Sequence, residues 1–250
     1  MSEKLQKILA QRGLGSRREM ERLIEAGRVR VGGRVAGLGD RIKGDEEITV
    51  DGWRLGEQRG HAVGRVLMYH KTTGEMCTRS DPKGRPLVFD KLPPIRQGRW
   101  VAVGRLDVNS SGLMLFTTDG ELAARLMHPS QGIVRRYAAR VLGRATPEVM
   151  TRLVKGLVLE DGPARFLDIK DAGGEGANHW YHVSMAEGRK REVRRLFAAA
   201  GLTVSRLIRI AYGPVELPRT LRPGHNRPVP PPLVDILYRE AGLPVPPRKA

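Results

Sequence analysis

The chain has a single cysteine, Cys77, which excludes an internal disulfide and any cysteine-built metal cluster. Long apolar runs are missing. Nothing approaches the ~18 consecutive residues needed to cross a bilayer, and no amphipathic stretch sets bulky aromatics along one face, so no membrane partner is expected. The opening Met1-Ser2-Glu3-Lys4 lacks the apolar core of a secretory signal, and a cytoplasmic location is expected. Histidine is sparse, with six residues at 61, 70, 128, 179, 182 and 225. Only His179 and His182 lie close together and no third ligand is evident, so no metal site is read. The nucleotide and nucleophile motifs are missing as well. There is no Gly-x-x-x-x-Gly-Lys-Ser/Thr loop, no Gly-x-Gly-x-x-Gly after a strand, no Gly-x-Ser-x-Gly elbow, and no His-x-Glu with paired cysteines. An enzyme built without these works with its side chains alone, and no cofactor is expected.

What the chain has in excess is positive charge. Forty-four Lys and Arg oppose 27 Asp and Glu, a formal net charge of +17 over 250 residues. That balance implies a polyanionic partner, nucleic acid first. The length suits a small domain beside a larger one with a sizeable core.

Residues 1–50 read as a compact unit. Ser2 is placed to cap a helix with Leu5, Ile8 and Leu9 on one face and Gly13 at its end. Ser16 with Glu19 forms a capping box, opening a second helix with Met20, Leu23 and Ile24 inward and Gly27 behind. Arg28-Val29-Arg30-Val31 alternates as a strand, Gly32-Gly33 turns, and Arg34-Val35 returns. Seven of the unit's eight arginines gather between residues 12 and 34: Arg12, Arg17, Arg18, Arg22, Arg28, Arg30 and Arg34. Arg17 and Arg18 stand in the first turn of a helix, where the macrodipole disfavours cations. Either an external anion or a plain solvated basic face accounts for them.

Residues 51–64, with Gly52, Gly56, Gly60 and Gly64, read as a linker. Residues 65–217 read as a strand-rich α+β domain. Strands are expected at 66–70, 100–103, 113–116, 135–141, 157–159, 164–169, 180–185 and 204–211. Helices are expected after Asp119, at 147–155, and through the basic stretch 189–195 that continues to Phe197. Nine of the 17 prolines fall from Pro218 onward, so 218–250 is expected as an extended tail with one short helix at 233–240.

Two features are candidates for chemistry. Gly104-Arg105-Leu106-Asp107-Val108-Asn109-Ser110-Ser111-Gly112 is a polar, glycine-bounded loop between two apolar strands. On spacing alone it reads equally well as a β-turn with a turn-stabilising Asp. Five basic residues, Arg189, Lys190, Arg191, Arg194 and Arg195, crowd seven positions, more than solubility requires. Cys77 has no evident partner to depress its pKa and is read as packing.

Lys4-Leu5-Gln6-Lys7-Ile8-Leu9, Gly15-Ser16-Arg17-Arg18-Glu19, Leu23-Ile24 and Gly27-Arg28-Val29-Arg30-Val31 resemble the small RNA-binding domain first described in ribosomal protein S4. Gly32 stands where that domain usually has Asn. Further on, Gly104-Arg105-Leu106-Asp107 with Ser111-Gly112-Leu113 is similar to the catalytic motif of RNA pseudouridine synthases. Arg136-Tyr137 and the stretch from Glu187-Gly188-Arg189 to Arg194-Arg195-Leu196 resemble the two later motifs of that family, in the same order. The RNA domain in front fits the branch acting on ribosomal RNA.

The resemblance implies an α+β protein: an S4-like domain, then a catalytic domain on a mainly antiparallel mixed sheet with flanking helices. It implies isomerisation of uridine to its carbon-linked isomer, without cofactor, by a monomer whose partner is 23S ribosomal RNA or a pre-ribosomal large subunit. Asp107 would be the nucleophile, attacking either the ribose or the uracil ring. Arg194 would form a salt bridge to Asp107, Tyr137 would stack on the uracil and assist proton transfer, and Leu196 would pack beneath Tyr137. Arg105 would fill the space left by a flipped-out base. The seven N-terminal arginines with Arg189, Lys190, Arg191 and Arg195 would contact RNA. Two other classes remain open: a non-catalytic ribosome-assembly factor using the basic surfaces alone, and an RNA methyltransferase carrying an S4-like domain, against which the missing glycine fingerprint counts.

Overall fold

The computed structural model describes residues 2–12, 14–43, 46–55, 64–95 and 98–247. Its N-terminal unit packs helices Leu5–Gln11 and Arg17–Glu25 against a four-stranded sheet ordered Arg34–Val35, Val29–Val31, Ile48–Val50, Trp53–Arg54. Leu5, Leu9, Met20, Ile24, Val29 and Ile48 bury in a core drawn from this unit alone. The capping box forms as expected. Glu19 N–H donates to Ser16 Oγ at 3.1 Å, and Ser16 N–H donates to the Glu19 carboxylate.

Two expectations in this region need correction. Ser2 does not cap the first helix. Glu3–Lys4 pairs as a short strand with Arg41–Ile42, so Lys4 occupies the N-cap with no side-chain bond. Gly13 lies outside the described residues. Residue 51 does not begin a linker: Asp51 and Gly52 take φ of +53° and +81° and turn the chain back as Trp53–Arg54, a fourth strand. Asp-Gly is a strong signal for this two-residue turn, obscured here by the glycines that follow it. Most of the expected linker, residues 56–63, lies outside the described residues.

The larger unit is organised on one mixed sheet ordered Asp168–Asp171, Asn178–Met185, Arg135–Leu142, Thr203–Tyr212, Ser111–Thr117, Val66–Lys71, Asn226–Pro228. Its central strands are buried on both faces, which is why they read as unbroken apolar runs. Alternate residues divide between two cores. Leu67, Tyr69, Met114 and Phe116 face the core that contains Tyr137 and Leu196. Val66, Met68, Leu113 and Leu115 face a core covered by helices Gly120–Met127 and Pro231–Glu240. Helices Pro147–Lys155 and Glu192–Ala199 cover the first face. The expected strand 164–169 is two separate strands. Gly162–Ala164 pairs with Leu157–Leu159, and Asp168–Asp171 pairs with Asn178–Met185. Between them, fully buried Phe166 donates its N–H to Leu153 O at 3.0 Å.

The C-terminal segment is not an extended tail. Asn226–Pro228 is an edge strand on Val66–Lys71, a position where proline's missing donor costs no ladder bond. Pro231 and Pro232 open the last helix, where the first N–H groups are unpaired anyway. Leu221, Val229, Val234, Leu237 and Tyr238 are buried, and Tyr238 Oη donates to Asp119 Oδ2 at 2.8 Å. Replacing fully buried Leu237 with Ala is expected to cost about 2–5 kcal/mol in urea unfolding, whereas truncation of a true tail residue would cost nothing measurable.

Candidate active site

Val101–Val103 and Ser111–Thr117 pair antiparallel, and the loop between them carries Asp107. Five consecutive carbonyls of this loop accept hydrogen bonds, each from a group outside it. Leu106 O accepts from Cys77 Sγ at 3.2 Å, and Val108 O from Gly74 N–H at 2.7 Å. Lys71 Nζ donates to Asp107 O at 3.1 Å, to Ser110 O at 2.8 Å and to Thr72 O at 2.8 Å. Asn109 O accepts from Arg194 Nη2 at 3.0 Å. The loop is clasped from below by the turn 71–77 and from one side by the helix Glu192–Ala199.

Lys71 is fully buried, and burial lowers its pKa against the opposing fields of Cys77, Glu75 and Asp107. Its three carbonyl acceptors make the buried ammonium tolerable. Glu75, also buried, accepts from Tyr69 Oη at 2.6 Å and from Thr72 N–H at 3.0 Å, which fixes the turn itself. Burial raises the Cys77 thiol, so this side chain is a hydrogen-bonded strut and not a thiolate. Gly112 closes the loop in a parallel pairing of the sheet, opposite Arg209. At φ +105° a Cβ there would sit 2.3 Å from Arg209 O, so only glycine lets these backbones meet.

Asp107 opens onto a cavity of about 420 Å³ whose lining includes Arg105, Ser110, Tyr137, Arg191 and Arg209. Its side chain is 31% exposed, with Arg191 Nη1 3.9 Å from Oδ2. Tyr137 is buried in the cavity wall, and Arg105 is exposed at the loop. Leu196, fully buried, belongs to the same core as Tyr137 but does not line the cavity. Sequence reading therefore brought Asp107, Tyr137 and Arg105 to one place.

Arg194 requires correction. The structure pairs it not with the Asp107 carboxylate but with two carbonyls, Asn109 O and Val204 O, the latter at 2.7 Å. Burial chiefly lowers its pKa, with Arg191 adding to the effect and Asp107 opposing it, so Arg194 acts as a loop brace within the field of Asp107. The ion pair falls to Arg191 because the helix starts at Glu192, three residues later than the basic run suggested. Arg191 takes a left-handed φ of +53°, a conformation costing about 1–3 kcal/mol in a non-glycine residue. It also donates to Asn109 Oδ1 at 3.3 Å.

The other basic residues of this run separate into tied and free. Arg189 bonds to Glu192, and pairs with Glu187 at 2.8 Å and Asp161 at 3.2 Å. Arg195 grips Asp161 at 2.7 and 2.8 Å. Both are engaged inside the protein, while Lys190 is exposed. Lys71, Cys77, Ser110 and Arg209 went unread as site residues. The signal for Lys71 was a lone cation ending an apolar strand, where a buried charge needs a reason.

The RNA pseudouridylate synthase family matches residues 65–199, and the S4 domain matches residues 3–48. A Pseudomonas aeruginosa protein named ribosomal large subunit pseudouridine synthase B is 56% identical over 245 residues, 97% of this chain. The chain spans 64% of that relative's length. Proteins of the same name from Salmonella typhi and Shigella flexneri are 56% identical over 227 residues, 90% of this chain and 78% of theirs. A crystal structure of a pseudouridylate synthase superposes with a TM-score of 0.65 at 25% identity, covering 94% of this chain and 99% of that one. An S4 domain ahead of a mixed sheet, a clasped loop presenting one carboxylate, and these likenesses agree: the chain belongs to the RNA pseudouridylate synthase family.

Proposed function

We propose that this protein isomerises a uridine of large-subunit ribosomal RNA to pseudouridine, with Asp107 as the nucleophile. The observation that carries the reading is the Asp107 carboxylate, partly exposed at an open cavity, facing Arg191 and sharing its walls with Tyr137. The large-subunit substrate is supported by the names of the relatives above. In the isomerisation the glycosidic bond to N1 breaks, the base rotates, and the sugar rejoins at carbon 5. Carbon 5 gives up a proton and N1 gains one, so no redox partner or donor group is consumed.

Each residue has a physical part in that reaction. Arg191 at 3.9 Å and the nearby Arg194 hold positive charge beside the Asp107 carboxylate, the group that attacks. Tyr137 offers its ring face to the uracil, which must leave its helix at a cost of a few kcal/mol. Arg105, exposed beside the cavity, is placed to fill the vacated stack. The cavity is complete within one chain, consistent with a monomer, and ribosomal RNA as substrate puts the work in the cytoplasm.

The N-terminal unit delivers RNA through a subset of its arginines. Arg28 is paired with Asp51 at 2.6 Å, Arg34 with Asp40 at 3.0 Å, and Arg30 donates to Gly33 O at 3.0 Å. Arg12 is half-buried, and burial lowers its pKa. Arg17 and Arg18 are exposed and have no ion pair among the described residues. These two best fit the phosphate-contacting role.

Two experiments test the reading. Wild type incubated with unmodified large- and small-subunit rRNA, mapped by carbodiimide primer extension, is expected to form pseudouridine on the large-subunit RNA. Asp107→Asn is expected to form none while binding RNA normally. Absence of product from wild type on every rRNA would leave only an RNA-binding factor. Second, the double variant Arg17→Ala/Arg18→Ala is expected to lower the slope of log K against log salt by about 1.5. Arg28→Ala/Arg34→Ala, which removes cations already paired, should change it less.

A further inference from the structure

Two polar side chains of the cavity each keep a buried polar atom with no hydrogen-bond partner among the described residues. Arg209 is 3% exposed and Ser110 is 1% exposed, and both line the space that Asp107 and Tyr137 share. Arg209 Nε donates to Leu113 O at 2.7 Å, but its buried Nη2 donates to nothing. The Ser110 hydroxyl is likewise buried and unbonded. Buried polar groups are nearly always satisfied, and an orphan in a cavity signals a partner that arrives from outside. Arg135, the other buried arginine there, differs. It donates to Ala186 O and to Tyr212 Oη, the latter at 3.2 Å.

Strand register places Arg209 further. On one side it is paired with Tyr137, and on the other with Gly112 of the Asp107 loop. It therefore lies between the nucleophile's loop and the aromatic wall, at the level of a ring stacked on Tyr137. It has no ion pair with a carboxylate among the described residues; its guanidinium lies over the Tyr212 ring, 5.2 Å from the centroid, and leaves Nη2 without an acceptor. A backbone phosphate fits this position poorly. Phosphates stay at the rim, where Arg105 and Lys190 are exposed.

We infer that Arg209 and Ser110 read the base itself. Arg209 Nη2 donates to a carbonyl oxygen of the flipped-out uracil, and the Ser110 hydroxyl takes a polar group on the same edge of the ring. This rests on the uridine-isomerising reading above. An arginine can only donate, so a carbonyl satisfies it. If that carbonyl is O4, the amino group that cytosine presents there would leave two donors facing each other, a mismatch that selects against cytidine.

The test uses a short RNA carrying the mapped target as uridine, 2-thiouridine or 4-thiouridine, since sulfur is a poor acceptor. A third RNA set carries phosphorothioates flanking the target. Wild type is expected to lose about tenfold in kcat/KM with one of the two thio bases. In Arg209→Lys, which keeps the charge and a donor near Leu113 O, activity on the uridine RNA falls by a similar factor and that thio penalty disappears. Ser110→Ala removes an unbonded hydroxyl, so its Tm should hold or rise while kcat/KM falls severalfold. If Arg209→Lys does not fold, the Ser110→Ala result decides. Thio penalties that persist undiminished in Arg209→Lys, loss of a phosphorothioate effect instead, or full activity in Ser110→Ala would overturn the inference. Wild type inactive on every rRNA would fail the earlier reading, whereas an active wild type with independent penalties fails this one alone.

Discussion

The structure depends on a buried ammonium under a loop. Lys71 Nζ holds the carbonyls of Asp107, Ser110 and Thr72, joining the end of one central strand to the loop that begins the next. Hydrogen bonds from a charged donor contribute about 1.5–3 kcal/mol each. Desolvating the ion costs several kcal/mol in return. The balance is close to even, so the gain is geometric more than energetic. The carbonyls of residues 106 to 110 are all committed, and the Asp107 side chain projects from a backbone that has nowhere to move. A nucleophile's approach must be set to a fraction of an ångström to be effective, and a surface loop supplies that only when it is tied in this way.

Charge is distributed by the same logic. The excess of cations suggested a surface uniformly prepared for a polyanion. In the structure many of those arginines are structural: Arg189 and Arg195 converge on Asp161, Arg194 braces the Asp107 loop, and Arg28 and Arg34 pair within the N-terminal unit. Exposed cations with no ion pair among the described residues include Arg17 and Arg18 in the first turn of the helix Arg17–Glu25, and Arg105 and Lys190 at the cavity.

Much of this was legible in the sequence because the relevant signals are local. The Ser16/Glu19 box, the Gly32-Gly33 turn, the Asp119 cap and the alternating central strands act within a few residues. The loop around Asp107 was legible for the same reason, as glycines and polar residues between apolar strands. What was hidden depends on distance in the chain. Arg191, not Arg194, faces Asp107 because the helix begins at Glu192, and helix starts are weakly coded when no capping side chain is present. The proline-rich C-terminus looked like a tail because proline is usually read as a breaker. Its residues occupy a sheet edge and a helix start, the two places where the missing N–H does no harm. Lys71, Cys77 and Arg209 act across tens of residues, and no local pattern marks them.

The most direct test of the clasp is the single-turnover rate of pseudouridine formation by Lys71→Met, measured beside its RNA affinity and its circular dichroism. With the ammonium gone, the Asp107 loop loses its central tie while the RNA-binding arginines are untouched. The expected result is a folded protein whose Kd for RNA stays within about twofold and whose rate falls by about tenfold or more, of the order of one lost charged hydrogen bond. A folded Lys71→Met protein that turns over at the wild-type rate would contradict the account.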